Sequence, residues 1–515
     1  MLGSGLGGNA MRAANLWRRL ALSVLVGLGC GPVLSAHAVG AKPAAERPPT
    51  VVSVDVVVTG PQGEPVRDLR ATEVHVFEDK KEQKILVFRP RERGLPQRAL
   101  LGPNEFSNRS RPRVPPPTVV LLDLLNEWFS TGAEGGIEVG KALERLEPSE
   151  RLSLYVLTRH VEFYPVRTLQ QAEDDVAESR PPWTRTAVAL MDMAMKAVVA
   201  TRSAALDSGE LRFDPTMKAL RSFAARMAAV PGPKNLIWIT HGVPMVVHDV
   251  SGEPVNVSSY VRNLAAALVR SHTAVYSVAQ SAQGAAGGFD VSADMLREIS
   301  SWTGGREYGS DNPEGAINDS IRDARGAYAV AFERGAQKRP PDYHKLQVTC
   351  DRKGTHVLAR QGDVDAADMP LSEQEVLFAI DSAARATLDC TGIGLKAQIA
   401  SAGAGSSAFH VSIHIDPRDA LMRPGSDGRF HSPLLLVIAG YDEGGLKELP
   451  PPEKLDVSLT DQEYQSGVRD DVEVAKDITP SSSNRKIRCI VMDRELNAVG
   501  SVSVPLPGRG QGAGR

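Results

Sequence analysis

The segment Thr118-Val-Val-Leu-Leu-Asp123 constrains this chain more than any other. An apolar, largely β-branched run passes without a break into a carboxylate. A strand of that composition predicts burial on both faces, as in a parallel sheet covered by helices. The carboxylate then falls at the strand's carboxyl end, where open α/β sheets place their ligand sites. Asn126 and Glu127 follow at once, so that strand end gathers two carboxylates and an amide.

Strand and helix periods alternate downstream of it. A helix is expected near 134–146, where Thr131 and Glu134 have capping-box spacing. Segment 152–158 meets 161–166 with almost no connection, which demands an antiparallel pair, and Pro165 puts the second strand at an edge. Helical patterns cover 186–201 and 215–230. Strand 234–240 ends in His241-Gly242, a helix near 258–271 leads to strand 273–279, and a further helix spans 292–302. This is a doubly wound, Rossmann-like α/β pattern with one antiparallel edge strand. If the first and fourth strands are central neighbours, Asp123 and His241 face each other at the switch point.

The flanks read as β structure. Val51 to Val58 alternates around Ser53 and Asp55, and short strands follow at 73–77 and 84–88. These form a small module over 39–92, joined by a Pro-rich linker over 93–117 to an α/β domain over 118–365. Within that domain the period turns to β from Ala327, with further strands at 344–350 and 356–360. A helical linker over 366–387 leads to a β-sandwich over 388–507, with strands at 408–415, 433–439, 454–460 and 486–493. The Gly-rich tail, 508–515, is expected to be disordered.

The first 38 residues have the order of a secretory signal: Arg18-Arg19, an apolar core from Leu20 to Leu28, and Ala36-His37-Ala38 for cleavage after Ala38. The expected location is secreted or periplasmic. At 515 residues the chain exceeds one core. A net charge of −3, with no basic stripe among aromatics, gives nucleic acid no footing. Three cysteines follow the leader: Cys350, Cys390 and Cys489. Cys390 and Cys489 both fall in the last domain, so any disulfide is expected between them.

The order and spacing of several segments resemble the secreted bacterial VWFA-related domain proteins, a divergent branch of the von Willebrand factor A family. They include Val54-Asp-Val-Val-Val-Thr-Gly60, Leu121-Leu-Asp-Leu-Leu-Asn126, Lys234-Asn-Leu-Ile-Trp238, Ala274-Val-Tyr-Ser-Val278 and Thr303-Gly-Gly-Arg306. The resemblance implies a von Willebrand A-type sheet and an export route, with no assigned reaction. The family's metal-ion-dependent adhesion site begins Asp-x-Ser-x-Ser. Asp123 matches the aspartate, but Leu125 and Glu127 stand at the serines. The threonine loop falls near Thr186, with Val188 at the threonine position in the better register, and His241 replaces the last aspartate. Magnesium wants hard oxygen ligands in near-octahedral array, and this set is degenerate. No metal or other cofactor is expected, a divalent cation at Asp123 being the exception to test.

No nucleophile motif or metalloprotease signature accompanies His160, His241, His248 or His272, so no catalytic residue is assigned. Asp363, Asp365 and Asp368 read as a solvated acidic turn. The expected function is non-enzymatic binding of a protein partner in the envelope or outside the cell. The expected face is Asp123, Asn126, Glu127, Thr186 and His241, with Trp128 and Trp183 nearby. The alternatives are an envelope hydrolase using His241 with Asp123, and a purely structural envelope component.

Overall fold

In the computed structural model the buried run is strand β1 (Thr118–Asp123), with all six residues buried. The structure describes residues 50–91, 101–102, 104–109, 116–126, 151–158, 160–178, 180, 209–240, 242–243, 246–248, 251–279, 293–308, 312–335, 343–363, 370–403, 407–465 and 471–507. The expected leader with its cleavage point after Ala38, the 134–146 and 186–201 helices, and the tail lie outside them.

Six strands form a mixed sheet: β1, β2 (Leu152–Leu157), β3 (Phe163–Arg167), β4 (Lys234–Thr240), β5 (Thr273–Ala279) and β6 (Glu307–Tyr308). Their spatial order is 3-2-1-4-5-6. Every pair is parallel except β2 with β3. Pro165 sits on that edge strand opposite Tyr155, where its missing N–H costs no ladder bond.

Two separate cores explain why β1 and β4 are apolar on both faces. On one face Val119, Leu121, Leu236 and Trp238 pack with α2 (Gly209–Ala228), α3 (Ser258–Arg270) and α4 (Ala293–Thr303). On the other, Val120, Leu122, Ile237 and Ile239 meet α5 (Pro313–Gly326). A short helix, α1 (Leu169–Ala177), follows β3 behind a Thr168/Gln171 capping box. No helix of the described residues is long and apolar enough to cross a membrane.

Strand pairing crosses the expected segment boundaries. Strand 50–59 pairs along almost its whole length with Ala327–Arg334, Val54 opposite Val330. Strand 85–90 lines the other side of Ala327–Arg334, and strand 74–78 pairs with His344–Cys350. Val52, Val54, Val56, Val76, Val330, Phe332 and Leu346 share one core. The small module expected over 39–92 is therefore completed by residues 327–363, from within the segment expected to belong to the α/β domain. The physical reason is size: some forty residues bury too little apolar surface to stand alone.

The other two boundaries also move. Strand 105–107, inside the expected linker, pairs with strand 395–401 at the edge of the C-terminal β structure. Asn108 holds it there, donating to the carbonyls of Cys390 and Ile393 at 2.8 Å. The C-terminal region is two antiparallel sheets around a shared core, as a sandwich requires. The expected helical linker is α6 (Glu373–Arg385), which buries Val376, Ala379, Ile380 and Ala383 against Val437, Ile490 and Met492. Arg488 closes its end by donating to the carbonyls of Ala383, Ala384 and Ala386.

Candidate functional site

The order of the six strands reverses between β1 and β4, which are central neighbours with Leu122 opposite Ile239. The carboxyl ends of the two strands therefore bound the crevice that such a reversal creates. Asp123 closes β1 at that point, as expected. It does not, however, present its carboxylate to a partner, because it is only 3% exposed.

Its Oδ2 accepts from Trp238 Nε1 at 3.0 Å, Thr240 Oγ1 at 2.8 Å and Asn126 Nδ2 at 2.7 Å. Its Oδ1 accepts from the Asn126 main-chain N–H at 3.2 Å. Asn126, 1% exposed, also donates to Thr216 on α2 at 2.9 Å. Burial raises the Asp123 pKa, and the hydrogen bonds from Asn126, Thr240 and Trp238 oppose that shift. Asp123 and Asn126 thus form an internal clasp joining β1, β4 and α2. The expectation that these two residues form part of a binding surface is corrected on that ground. Glu127, Thr186, His241, Trp128 and Trp183 lie outside the described residues.

The same geometry bears on a divalent cation. Four protein donors occupy the carboxylate, three of them on Oδ2 and one on Oδ1. Leu125, at a position where the adhesion site would supply a hydroxyl, is 1% exposed and part of the apolar core. Magnesium needs several converging oxygens; of the expected set the described residues supply the Asp123 carboxylate, already bonded by protein donors, and Asn126 Oδ1, which is buried without a partner. No cluster of three or more His, Cys, Asp or Glu suited to a metal occurs among them.

The remaining candidates separate cleanly. Among the described residues the expected Cys390–Cys489 bond is not formed, and Cys350, Cys390 and Cys489 are free thiols. Cys489 packs into the sandwich core while Cys390 lies against the separate core under α6, so the two side chains serve different layers. Burial raises their pKa values to about 12 and about 11 respectively. Asp363 is not in a solvated turn. It is 2% exposed and ion-paired with Arg334 and Arg360. Asp365 and Asp368 lie outside the described residues. His160 is in an exposed turn.

His272 is half-buried at a φ of 51°, and desolvation, with the nearby Lys234, holds its pKa down at about 3. Unfolding restores an ordinary value near 6.5, so between these limits the unfolded chain takes up a proton that the folded one refuses. The stability gained from neutral His272 is complete above pH 6.5 and falls with pH toward 3, by up to about 1.4 kcal/mol per unit. His272→Asn, which tolerates the left-handed backbone, should flatten the fall in melting temperature between pH 6.5 and 4 relative to wild type. Parallel pH profiles for the two proteins would refute this.

Sequence reasoning missed an apolar rim at the same end of the sheet. Tyr164 on β3, Val255 in the hairpin after β4 and Tyr260 in the first turn of α3 are 49%, 38% and 46% exposed. Tyr164 pairs with Val156, one residue before the carboxyl end of β2. Phe213 of α2 meets Tyr260 edge-on, with ring centroids 6.0 Å apart. The available signal was the outward position of Tyr260 on a helix whose Val261, Leu264 and Leu268 face inward.

No family model matches this chain, and no curated protein does. Solved structures of limited likeness include the following two. One is the human COPII-coat protein Sec24c, at 13% identity and a TM-score of 0.24, covering 50% of this chain and 44% of that one. The other is the pilus adhesin SpaC from Lactobacillus rhamnosus GG in its open conformation, at 11% identity and a TM-score of 0.28, covering 77% and 56%. The chain spans about half the length of these two proteins. At such TM-scores neither carries weight for function.

Proposed function

We propose that this is an exported, non-enzymatic protein-binding protein built on a divergent, doubly wound von Willebrand A-type domain. Its docking face is the carboxyl end of the six-stranded sheet. Export rests on the charged, apolar and Ala-x-Ala order of the leader. The family reading rests on the matching segments, supported by the 3-2-1-4-5-6 strand order with one antiparallel edge.

The observation that carries the binding reading is the apolar rim. Five large hydrophobic side chains are exposed among the described residues, and Tyr164, Val255 and Tyr260 lie around the carboxyl end of the sheet. Tyrosine is enriched at protein interfaces because it joins a large apolar body to a polar tip. The Asp123 clasp contributes indirectly, by fixing the strand ends that hold the rim. Binding on this reading needs no divalent cation.

Photo-crosslinking in envelope extract should give a discrete partner for the wild-type chain. Tyr164→Asp with Tyr260→Asp should reduce its yield at least tenfold, while Leu377→Asp, equally exposed on α6, leaves it unchanged. Chelating divalent cations should not change the wild-type yield. Capture that survives the tyrosine changes in a folded protein, or that needs magnesium, would overturn the proposal.

A further inference from the structure

The amino ends of β1 and β4, opposite the proposed docking face, border two adjoining cavities. The larger, about 430 Å³, lies between Pro117, Pro231 and α1 on one side and α6 with segment 388–392 on the other. The smaller, about 70 Å³, shares Arg91, Pro116, Pro233 and Ala324 with it and has Lys234 and His272 in its wall.

The cations of these walls are matched with one exception. Arg89 pairs with Asp419, Arg91 with Asp55, Arg151 with Glu173, Arg360 with Asp363 and Arg385 with Asp381. Lys234 is 2% exposed and its Nζ donates only to the carbonyls of Val230, at 2.5 Å, and Gly232, at 2.7 Å. Among the described residues no carboxylate stands within ion-pair distance of it. A buried ammonium without a counter-charge is costly. Burial, with the charges of Arg151 and Arg91, lowers its pKa to about 7, and Asp55 in the same wall offsets this only in part.

The larger cavity is of ligand size and mixes charge with apolar wall from Leu169, Val230, Leu388 and Val499. Phe378 of α6 also lines it and is 55% exposed. One unmatched positive charge calls for one negative charge, and the apolar wall calls for a hydrocarbon body. We infer that this paired cavity binds a small organic monocarboxylate, its carboxylate at Lys234 and its chain toward Phe378. The competing role for Lys234 is purely structural, as a cap on the carbonyls that follow α2.

Calorimetric titration of the full chain with octanoate separates the two. Saturable one-to-one binding is expected, weakened at least tenfold by Lys234→Met and several-fold by Phe378→Ala. Octanamide, of the same shape but uncharged, should bind at least tenfold more weakly than octanoate. If Lys234→Met fails to fold, Lys234→Gln, which removes the charge and keeps a donor for the Val230 and Gly232 carbonyls, replaces it with the same tenfold loss expected. Absence of saturable binding, octanamide matching octanoate, or full binding by either folded Lys234 variant would each overturn the inference. Displacement of octanoate by equimolar inorganic phosphate would also overturn it, by showing a general anion site.

Discussion

Asp123→Ala is expected to lower the unfolding free energy by about 3–5 kcal/mol, read from urea denaturation. The change strands the Trp238 indole N–H, the Thr240 hydroxyl and the Asn126 amide, all bonded to that carboxylate in the interior. Each buried polar group left without a partner costs about 1–3 kcal/mol, and water entering the space recovers part of the total. Asp123→Asn keeps the shape but turns one acceptor into a donor, so a loss of about 1–3 kcal/mol is expected. An exposed carboxylate at a binding face would behave differently, with Asp123→Ala costing under about 0.5 kcal/mol. A result that small would refute the clasp.

Asp363→Ala should cost a comparable amount, about 3–5 kcal/mol, because it breaks a buried ion network. Asp363 bonds both Arg334 and Arg360, while Arg334 Nε donates to Glu78 at 2.8 Å. Glu78, Arg334, Arg360 and Asp363 are all at most 5% exposed. Replacing Arg360 and Asp363 together by Met removes one charge of each sign, so the double variant should be more stable than Asp363→Ala alone. A double-mutant cycle with no coupling between the two positions would show that the network contributes nothing as a unit.

Much of the architecture was legible because it is written in local periodicity. β4, β5 and the strands at 344–350 and 486–493 fall where their β-branched runs predict. Strands 395–401, 472–478 and 498–505 were missed, since alanine, serine, glycine and charge dilute their alternation. Helix α5 was missed although Asn312-Pro313 is a start signal: Asn312 Oδ1 accepts from the Gly315 N–H, with Pro313 next in the first turn. α2 begins at Gly209 rather than at Pro215, so the proline lies inside the helix and did not mark its start.

At the site, the position of Asp123 was legible and its burial was not read. The signal was nonetheless present. Leu124 and Leu125 continue the apolar run and draw the strand end beneath the surface, at 5% and 1% exposure. The partners Trp238 and Thr216 come from distant segments, and no spacing rule connects them to Asp123. Pairing between residues 50–59 and 327–334 was hidden for the same reason, because periodicity identifies a strand but not its neighbour.

That pairing has a consequence for synthesis. The chain emerges amino end first, so Val52, Val54 and Val56 are made long before Ala327–Arg334 exists to pair with them. The Glu78–Arg334 bond joins residues 256 apart, yet closing so long a loop is cheap, about 0.6 kcal/mol for each doubling of length. What is costly is the wait. The α/β sheet between the two halves can fold first and bring its own ends together, acting as a clamp that shortens the search for the amino-terminal valines. A nascent chain halted before residue 327 would display those valines on an unpaired strand, open to any other edge it meets. Excising residues 118–365 would create the reciprocal problem, stranding the 327–334 and 344–350 strands without the partners they have in the whole chain.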